Sequence, residues 1–186
     1  MLTLTFKKIK VHITFGFLFL VAISSSSADN TSLFCLLFCL FHEASHLLAM
    51  YLFGIRISRI KFYGGGIKIV SETLVSLSKL KSAVIYFAGC FCNLSLALLL
   101  TKIKPDLAFI NLFLGIFNLL PISYFDGGKL LQNFFASSEV TLQTISKATF
   151  CIVAISAVFA VFYFKIPFST SLIFTLLFVS ISEYLE

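Results

Sequence analysis

Two histidines and a glutamate lie close together within an apolar stretch, His42-Glu43-Ala44-Ser45-His46. Histidines four residues apart project from one face of a helix, at a spacing that suits a single metal ion. The glutamate, directly after the first histidine, does not share the direction of the two histidines and can take a proton from a water molecule at the metal. An ionisable side chain at the centre of a bilayer costs about 2.5–3.5 kcal/mol on insertion scales. Because packing alone gives no reason to carry three such groups, the segment predicts a hydrolytic metal site.

A catalytic zinc ion usually has three protein ligands, so a third ligand is expected elsewhere in the chain. Asp126 is the main candidate, because two glycines follow it and allow close approach of the backbone. Pro121, shortly before it, should end the preceding helix. Cys39, three residues before His42, is the alternative ligand as a thiolate. Choosing Cys39 would leave the placement of Asp126 and Glu43 unexplained.

The remaining polar side chains in apolar segments allow more than one interpretation. Asn93 either forms a hydrogen bond to a neighbouring membrane helix or has a role near the active site. His12 is interpreted as a lone histidine at the membrane interface. The five cysteines all lie in apolar runs and are interpreted as small buried hydrophobic residues, not as a disulfide framework; they are Cys35, Cys39, Cys90, Cys92 and Cys151.

The composition is that of an integral membrane protein. Of the 186 residues, 59% are hydrophobic and 12% are charged, and the mean hydropathy is +1.04, whereas soluble domains have about 25% charged residues. The expected fold is an all-α polytopic bundle of about six transmembrane helices, forming one domain over residues 1–186 without a PDZ or CBS domain. The net charge of +6 is spread over loops, which argues against a nucleic-acid partner.

Apolar runs predict six spans, at about residues 11–23, 33–53, 83–100, 107–120, 148–164 and 168–182. A cleaved signal peptide is the alternative for the first span, because lysines precede it and Ser26-Ser27-Ala28 resembles a cleavage site. Residues 57–70 do not look helical, since three glycines interrupt them and polarity alternates after the glycines. This segment predicts a short hairpin at the membrane surface.

The basic residues predict the orientation in the membrane. With six spans and a cytoplasmic N-terminus, eleven of the fourteen lysines and arginines lie on the cytoplasmic side. The other three, Lys102, Lys104 and Lys165, lie on the far side. This asymmetry follows the positive-inside rule. Both termini are therefore expected in the cytoplasm, and Asn30 is expected outside.

These motifs resemble the site-2 protease family of intramembrane zinc metalloproteases, and most closely its stage IV sporulation protein FB group. The resemblance covers most of the chain, from Lys10-Val11-His12 at the start of the first span to the segment from Asn118 to Lys129. In between, the HExxH motif, the segment from Gly64 to Ile69 and the segment from Gly89 to Asn93 each have a counterpart in the family. Cys90 stands where the family usually has proline, which puts the helix shape there in doubt.

The resemblance implies an intramembrane endopeptidase in the bacterial cell membrane that cleaves membrane-associated regulatory precursors, such as that of a sporulation transcription factor. Zn²⁺ is the expected cofactor, with His42, His46 and Asp126 as ligands and Glu43 as the catalytic base. A membrane-protein inhibitor or regulator is a further candidate partner. The expected supporting or substrate-binding residues are Asn93, Asn118, Pro121, Gly65, Gly66, Ile67 and Lys68. A zinc-binding transporter and a catalytically inactive scaffold remain the alternatives.

Overall fold

A computed structural model describes residues 2–6, 9–25, 30–63, 66–71, 77–135 and 139–164. In these residues the chain is mostly helical and contains one small sheet. The strands are β1 (Leu2–Phe6), β2 (Ile9–Ile13), β3 (Ile57–Tyr63) and β4 (Gly66–Ser71). The helices are α1 (Phe15–Ser25), α2 (Thr31–Leu52), α3 (Lys79–Leu100), α4 (Pro105–Asn118), α5 (Asp126–Phe134) and α6 (Glu139–Phe164). Two compact units are present, Met1–Phe117 and Asn118–Glu186.

Helices α2 and α3 have the length and apolarity needed to cross a membrane. Each has 22 residues and is therefore about 33 Å long, against about 30 Å for the hydrocarbon core. They correspond to the second and third predicted spans. Helix α4 is shorter, with 14 residues, and α6 begins before the fifth predicted span. The sixth predicted span lies outside the described residues, so the six-span bundle remains a prediction.

The beginning of the first predicted span is wrong. Residues 9–13 form strand β2, and helix α1 begins only at Phe15. Lys10-Val11-His12 therefore lies in a strand and does not open a helix. The physical reason is the pattern Ile-Lys-Val-His-Ile, in which β-branched residues alternate with polar ones, as is typical of a strand with one polar face.

The four strands form one sheet in the order β1-β2-β3-β4. The predicted hairpin is present as the antiparallel pair β3–β4, but the sheet also contains β1 and β2, which were not predicted. Strands β2 and β3 are parallel, and the chain between them forms α1 and α2. Strand β4 lies at an edge of the sheet.

One face of the sheet packs on the ends of the helices. A register shift between Ile57 and Arg59 leaves Ser58 as the extra residue of a bulge, and the Ser58 hydroxyl donates to the carbonyl of Val70 at 3.0 Å. The bulge keeps Ile57 on the same face as Ile69. Both isoleucines pack against a buried cluster formed by Ala49, Met50, Ile55 and Ile85. The sheet is thereby fixed to α2 and α3.

Candidate metal centre

Helix α2 brings two imidazoles together. His42 and His46 are both buried, and their Nε2 atoms lie 3.1 Å apart. Two nitrogens bound tetrahedrally to zinc at about 2.0–2.1 Å would be about 3.3 Å apart. The two histidines are therefore spaced to share one metal ion.

A backbone carbonyl fixes which nitrogen of His46 is available. His46 Nδ1 lies 2.7 Å from the carbonyl oxygen of Ile85 in α3. Because a carbonyl only accepts hydrogen bonds, Nδ1 carries the hydrogen and the neutral ring keeps its lone pair on Nε2. Sequence reasoning missed Ile85, since a main-chain acceptor leaves no mark in the residue type.

Helix α3 presents bare backbone to both histidines. A Cβ atom added at Gly89 would lie 2.5 Å from Nε2 of His42 and 2.5 Å from Nε2 of His46. No side chain fits there without displacing the imidazoles. Glycine at this position thus keeps the space in front of both ligand atoms open, which fits a metal-binding role for the pair.

Glu43 follows His42 directly and is partly buried. Consecutive helical residues are rotated by about 100° around the axis, so Glu43 does not share the direction of the two histidines. This placement suits a group that acts on a water molecule beside the ion better than it suits a third ligand from the same helix.

The second unit holds Asp126 at the first residue of α5. Asp126 is buried, and Lys129 Nζ lies 3.1 Å from its Oδ1. The lysine and the N-terminal end of the helix both favour the charged carboxylate. The Asp-x-x-Lys spacing is the signal that could have predicted this ion pair.

The backbone around Asp126 is tightly held. A Cβ atom at Gly127 would overlap main-chain atoms of Leu119 and Leu120, and one at Gly128 would overlap the Ile122 carbonyl. These contacts explain why two glycines follow the aspartate. As predicted, α4 ends before Pro121.

The three predicted ligands are all buried; His42 and His46 belong to the first unit and Asp126 to the second. The alternative ligand, Cys39, lies on α2 three residues before His42. Asn93 is fully buried on α3, one turn beyond Gly89, and Asn118 is the last residue of α4. Gly66, Ile67 and Lys68 belong to the edge strand β4, while Gly65 lies outside the described residues.

Comparisons with known proteins point in the same direction as these features. Residues 106–163 match the family described as Peptidase family M50. No curated protein matches the chain in sequence. Among solved structures, the site-2 protease from Methanocaldococcus jannaschii is similar over 100% of this chain and 94% of its own, with a TM-score of 0.67 and 18% sequence identity. The chain therefore has the fold of that protein, and the match to peptidase family M50 covers residues 106–163.

Proposed function

We propose that this chain is a zinc-dependent intramembrane protease. The observation that carries the proposal is the buried histidine pair, with Nε2 atoms 3.1 Å apart in a helix of membrane-spanning length and with Glu43 beside it. Three ionisable groups inside such a helix are costly unless they have a function. The match to peptidase family M50 and the fold of a site-2 protease support the same reaction class.

The proposed metal ligands are His42, His46 and Asp126. Two imidazole nitrogens and one carboxylate make up a donor set common in catalytic zinc sites, which keep a fourth position open. When bound, zinc supplies a Lewis acid that polarises the scissile carbonyl and makes water more acidic. The Ile85 carbonyl positions the His46 ring, and Lys129 favours the charged form of the aspartate.

Glu43 is the proposed general base. Its carboxylate takes a proton from the attacking water and passes it to the leaving nitrogen. The leaving group therefore departs as a neutral amine and not as an amide anion. The partial burial of Glu43 in an apolar helix keeps bulk water away from this transfer.

The substrate of such an enzyme has to be locally extended, because the carbonyls of a transmembrane helix are engaged in hydrogen bonds. Strand β4 lies at the edge of the sheet and offers its backbone for pairing with an extended segment. Gly66, Ile67 and Lys68, together with Gly65 just before the strand, are the proposed substrate-binding residues. The narrower assignment, a sporulation transcription-factor precursor, rests on the resemblance of the motifs alone.

Three further residues have proposed supporting roles. Asn118 and Pro121 shape the segment that carries Asp126. Asn93 is fully buried, and neither its Nδ2 nor its Oδ1 has a hydrogen-bond partner among the described residues. Because a side-chain amide can pair with both groups of a peptide unit, Asn93 is proposed to bind the substrate backbone beside the metal.

The decisive experiment is Glu43→Gln in purified protein, with single-span membrane proteins as substrates. The variant keeps the size of the side chain but loses the basic carboxylate. It should retain zinc and slow cleavage at least about a hundredfold, since general-base assistance is typically worth 10²- to 10⁴-fold. Ser45→Ala is the matched control, because the Ser45 hydroxyl donates to the carbonyl of Phe41 in its own helix.

Cleavage by Glu43→Gln at the wild-type rate would refute the protease mechanism. A transporter would show no peptide cleavage in the wild type and an altered metal flux in the variant. An inactive scaffold would show neither cleavage nor flux.

A further inference from the structure

The strand register collects basic side chains on one face of the sheet. Residues opposite each other in paired strands lie on the same face. Lys10 is opposite Arg59, and the next row on that face includes Lys61. The two rows across the sheet are Thr5–Lys10–Arg59–Val70 and Thr3–His12–Lys61–Lys68. We call Lys10, Arg59 and Lys61 the basic face.

The basic face is accessible and carries no compensating charge of its own. All three side chains are exposed. The four strands contain no aspartate or glutamate, and none of the three side chains forms an ion pair within the part of the chain that the structure describes. Its positive charge is therefore available to an external anion.

Short connections tie this sheet to helices of the same unit. A single residue, Thr14, separates β2 from α1, and its N–H donates to the carbonyl of Phe62 at 3.0 Å. Phe17 of α1 packs edge-on against Phe62, with ring centroids 5.1 Å apart. Strand β3 begins five residues after α2 ends at Leu52. If α2 crosses the bilayer, these connections hold the sheet at the depth of the lipid headgroups.

We propose that the basic face binds the phosphate groups of anionic phospholipids in the surrounding membrane. An arginine guanidinium can bind a phosphate through two parallel hydrogen bonds, and the two lysines add point charges beside it. The opposite, apolar face packs on the helix ends through Ile57 and Ile69, so the basic face is the one left accessible to the headgroups. This inference does not depend on protease activity.

The test compares bilayer nanodiscs of phosphatidylcholine alone with nanodiscs that also contain phosphatidylglycerol. The variant is the triple substitution Lys10→Gln, Arg59→Gln, Lys61→Gln. Its matched control is Lys102→Gln, Lys104→Gln, which removes two exposed charges from the turn between α3 and α4. The readouts are phosphatidylglycerol retained by the purified protein and the midpoint of thermal unfolding.

Phosphatidylglycerol should bind to the wild type and raise its unfolding midpoint. Each basic side chain near an anionic surface strengthens binding by roughly fivefold, so the triple variant should lose on the order of 100-fold in relative affinity for the anionic lipid. The control should behave like the wild type, and high salt should weaken the effect. Equal lipid dependence in both variants would overturn the proposal. The proposal would also be wrong if the triple variant kept the lipid binding of the wild type but bound an acidic peptide less tightly.

Discussion

At the scale of single residues, the candidate metal centre depends on the absence of a side chain at position 89. Gly89 places bare backbone against the two imidazoles, and a methyl group there would meet both Nε2 atoms at 2.5 Å. Neither ring can yield easily, because His46 is held by the Ile85 carbonyl and both rings are buried in α2. The size of residue 89 therefore controls access to the ligand atoms.

Gly89→Ala should abolish zinc binding without unfolding the protein. The added methyl group pushes the imidazoles apart and occupies the space in front of them, so zinc content after purification should fall to the background level. Gly115→Ala is the matched control. Its Cβ would meet Cδ2 and Cγ of Leu94 at 3.0 Å and the Cys90 carbonyl oxygen at 3.4 Å, so a small shift of the Leu94 side chain makes room for it. Full zinc occupancy in Gly89→Ala would show that the ion binds elsewhere.

Asn93→Leu separates a structural role of this asparagine from a functional one. A buried polar group without a partner costs about 1–3 kcal/mol, so the leucine variant should be at least as stable as the wild type. If the amide binds substrate, kcat/KM should fall roughly 10- to 100-fold with zinc retained. A loss of stability would instead indicate a tie between helices.

The control for this substitution is Asn111→Leu. Asn111 is also fully buried, but its Nδ2 donates to the Leu107 carbonyl of its own helix at 2.9 Å. Its kcat/KM should remain close to that of the wild type. Equal losses of activity in both variants would assign the effect to polarity in the helix interior and not to substrate contact.

The sequence predicted these residues unevenly, for a physical reason. The spacing of His42 and His46 is readable because helical geometry is local. The Ile85 acceptor is 39 residues from His46 in the chain, and a main-chain carbonyl is the same in every residue. The consequence of Gly89 likewise depends on how α3 packs against α2, which no local pattern contains.

At the scale of elements, strands and helices compete for the same apolar residues. Residues 9–13 are apolar enough to extend the first predicted span, yet they pair with β1 and β3 in a sheet. The alternation of Lys10 and His12 with β-branched neighbours was the available signal. The hairpin β3–β4 was predicted because glycines separate its strands. The parallel pairing of β2 with β3 was not, since it joins segments 44 or more residues apart.

A separate prediction concerns Asp126, the first residue of helix α5. Lys129 Nζ lies 3.1 Å from its Oδ1. Loss of an outer partner of a metal ligand typically costs 10- to 100-fold in affinity. Removing the ligand itself should cost more than removing such a partner. Asp126→Ala should therefore weaken zinc binding by more than about a hundredfold and lower activity in parallel.

Cys39→Ala is the paired control for Asp126→Ala and should bind zinc like the wild type. Zinc content measured on purified, membrane-inserted protein shows which of the two candidate residues is the third ligand. Full occupancy in Asp126→Ala together with a loss in Cys39→Ala would transfer the ligand role to the cysteine.

At the scale of the whole molecule, charge decides which side of the membrane each loop occupies. The sheet and its connections carry Lys10, Arg56, Arg59 and Lys61, whereas the α3–α4 turn carries Lys102 and Lys104. In the proposed topology, which follows the positive-inside rule, the sheet lies on the cytoplasmic side, where the membrane leaflet is the anionic one. The proposed lipid contact and the proposed topology thus both require the sheet to lie on the cytoplasmic side of the membrane.

A reporter read from each side of the membrane tests this arrangement. Inserted after Asn30, which precedes α2, it should read as external. Fused after Glu186 it should read as cytoplasmic, because eleven of the fourteen basic residues then lie inside. An insertion after Lys102 serves as the control and should agree with Asn30, since the long helices α2 and α3 would carry both positions to the same side. External signal at Glu186 combined with cytoplasmic signal at Asn30 would invert the topology and place the basic face away from the anionic leaflet.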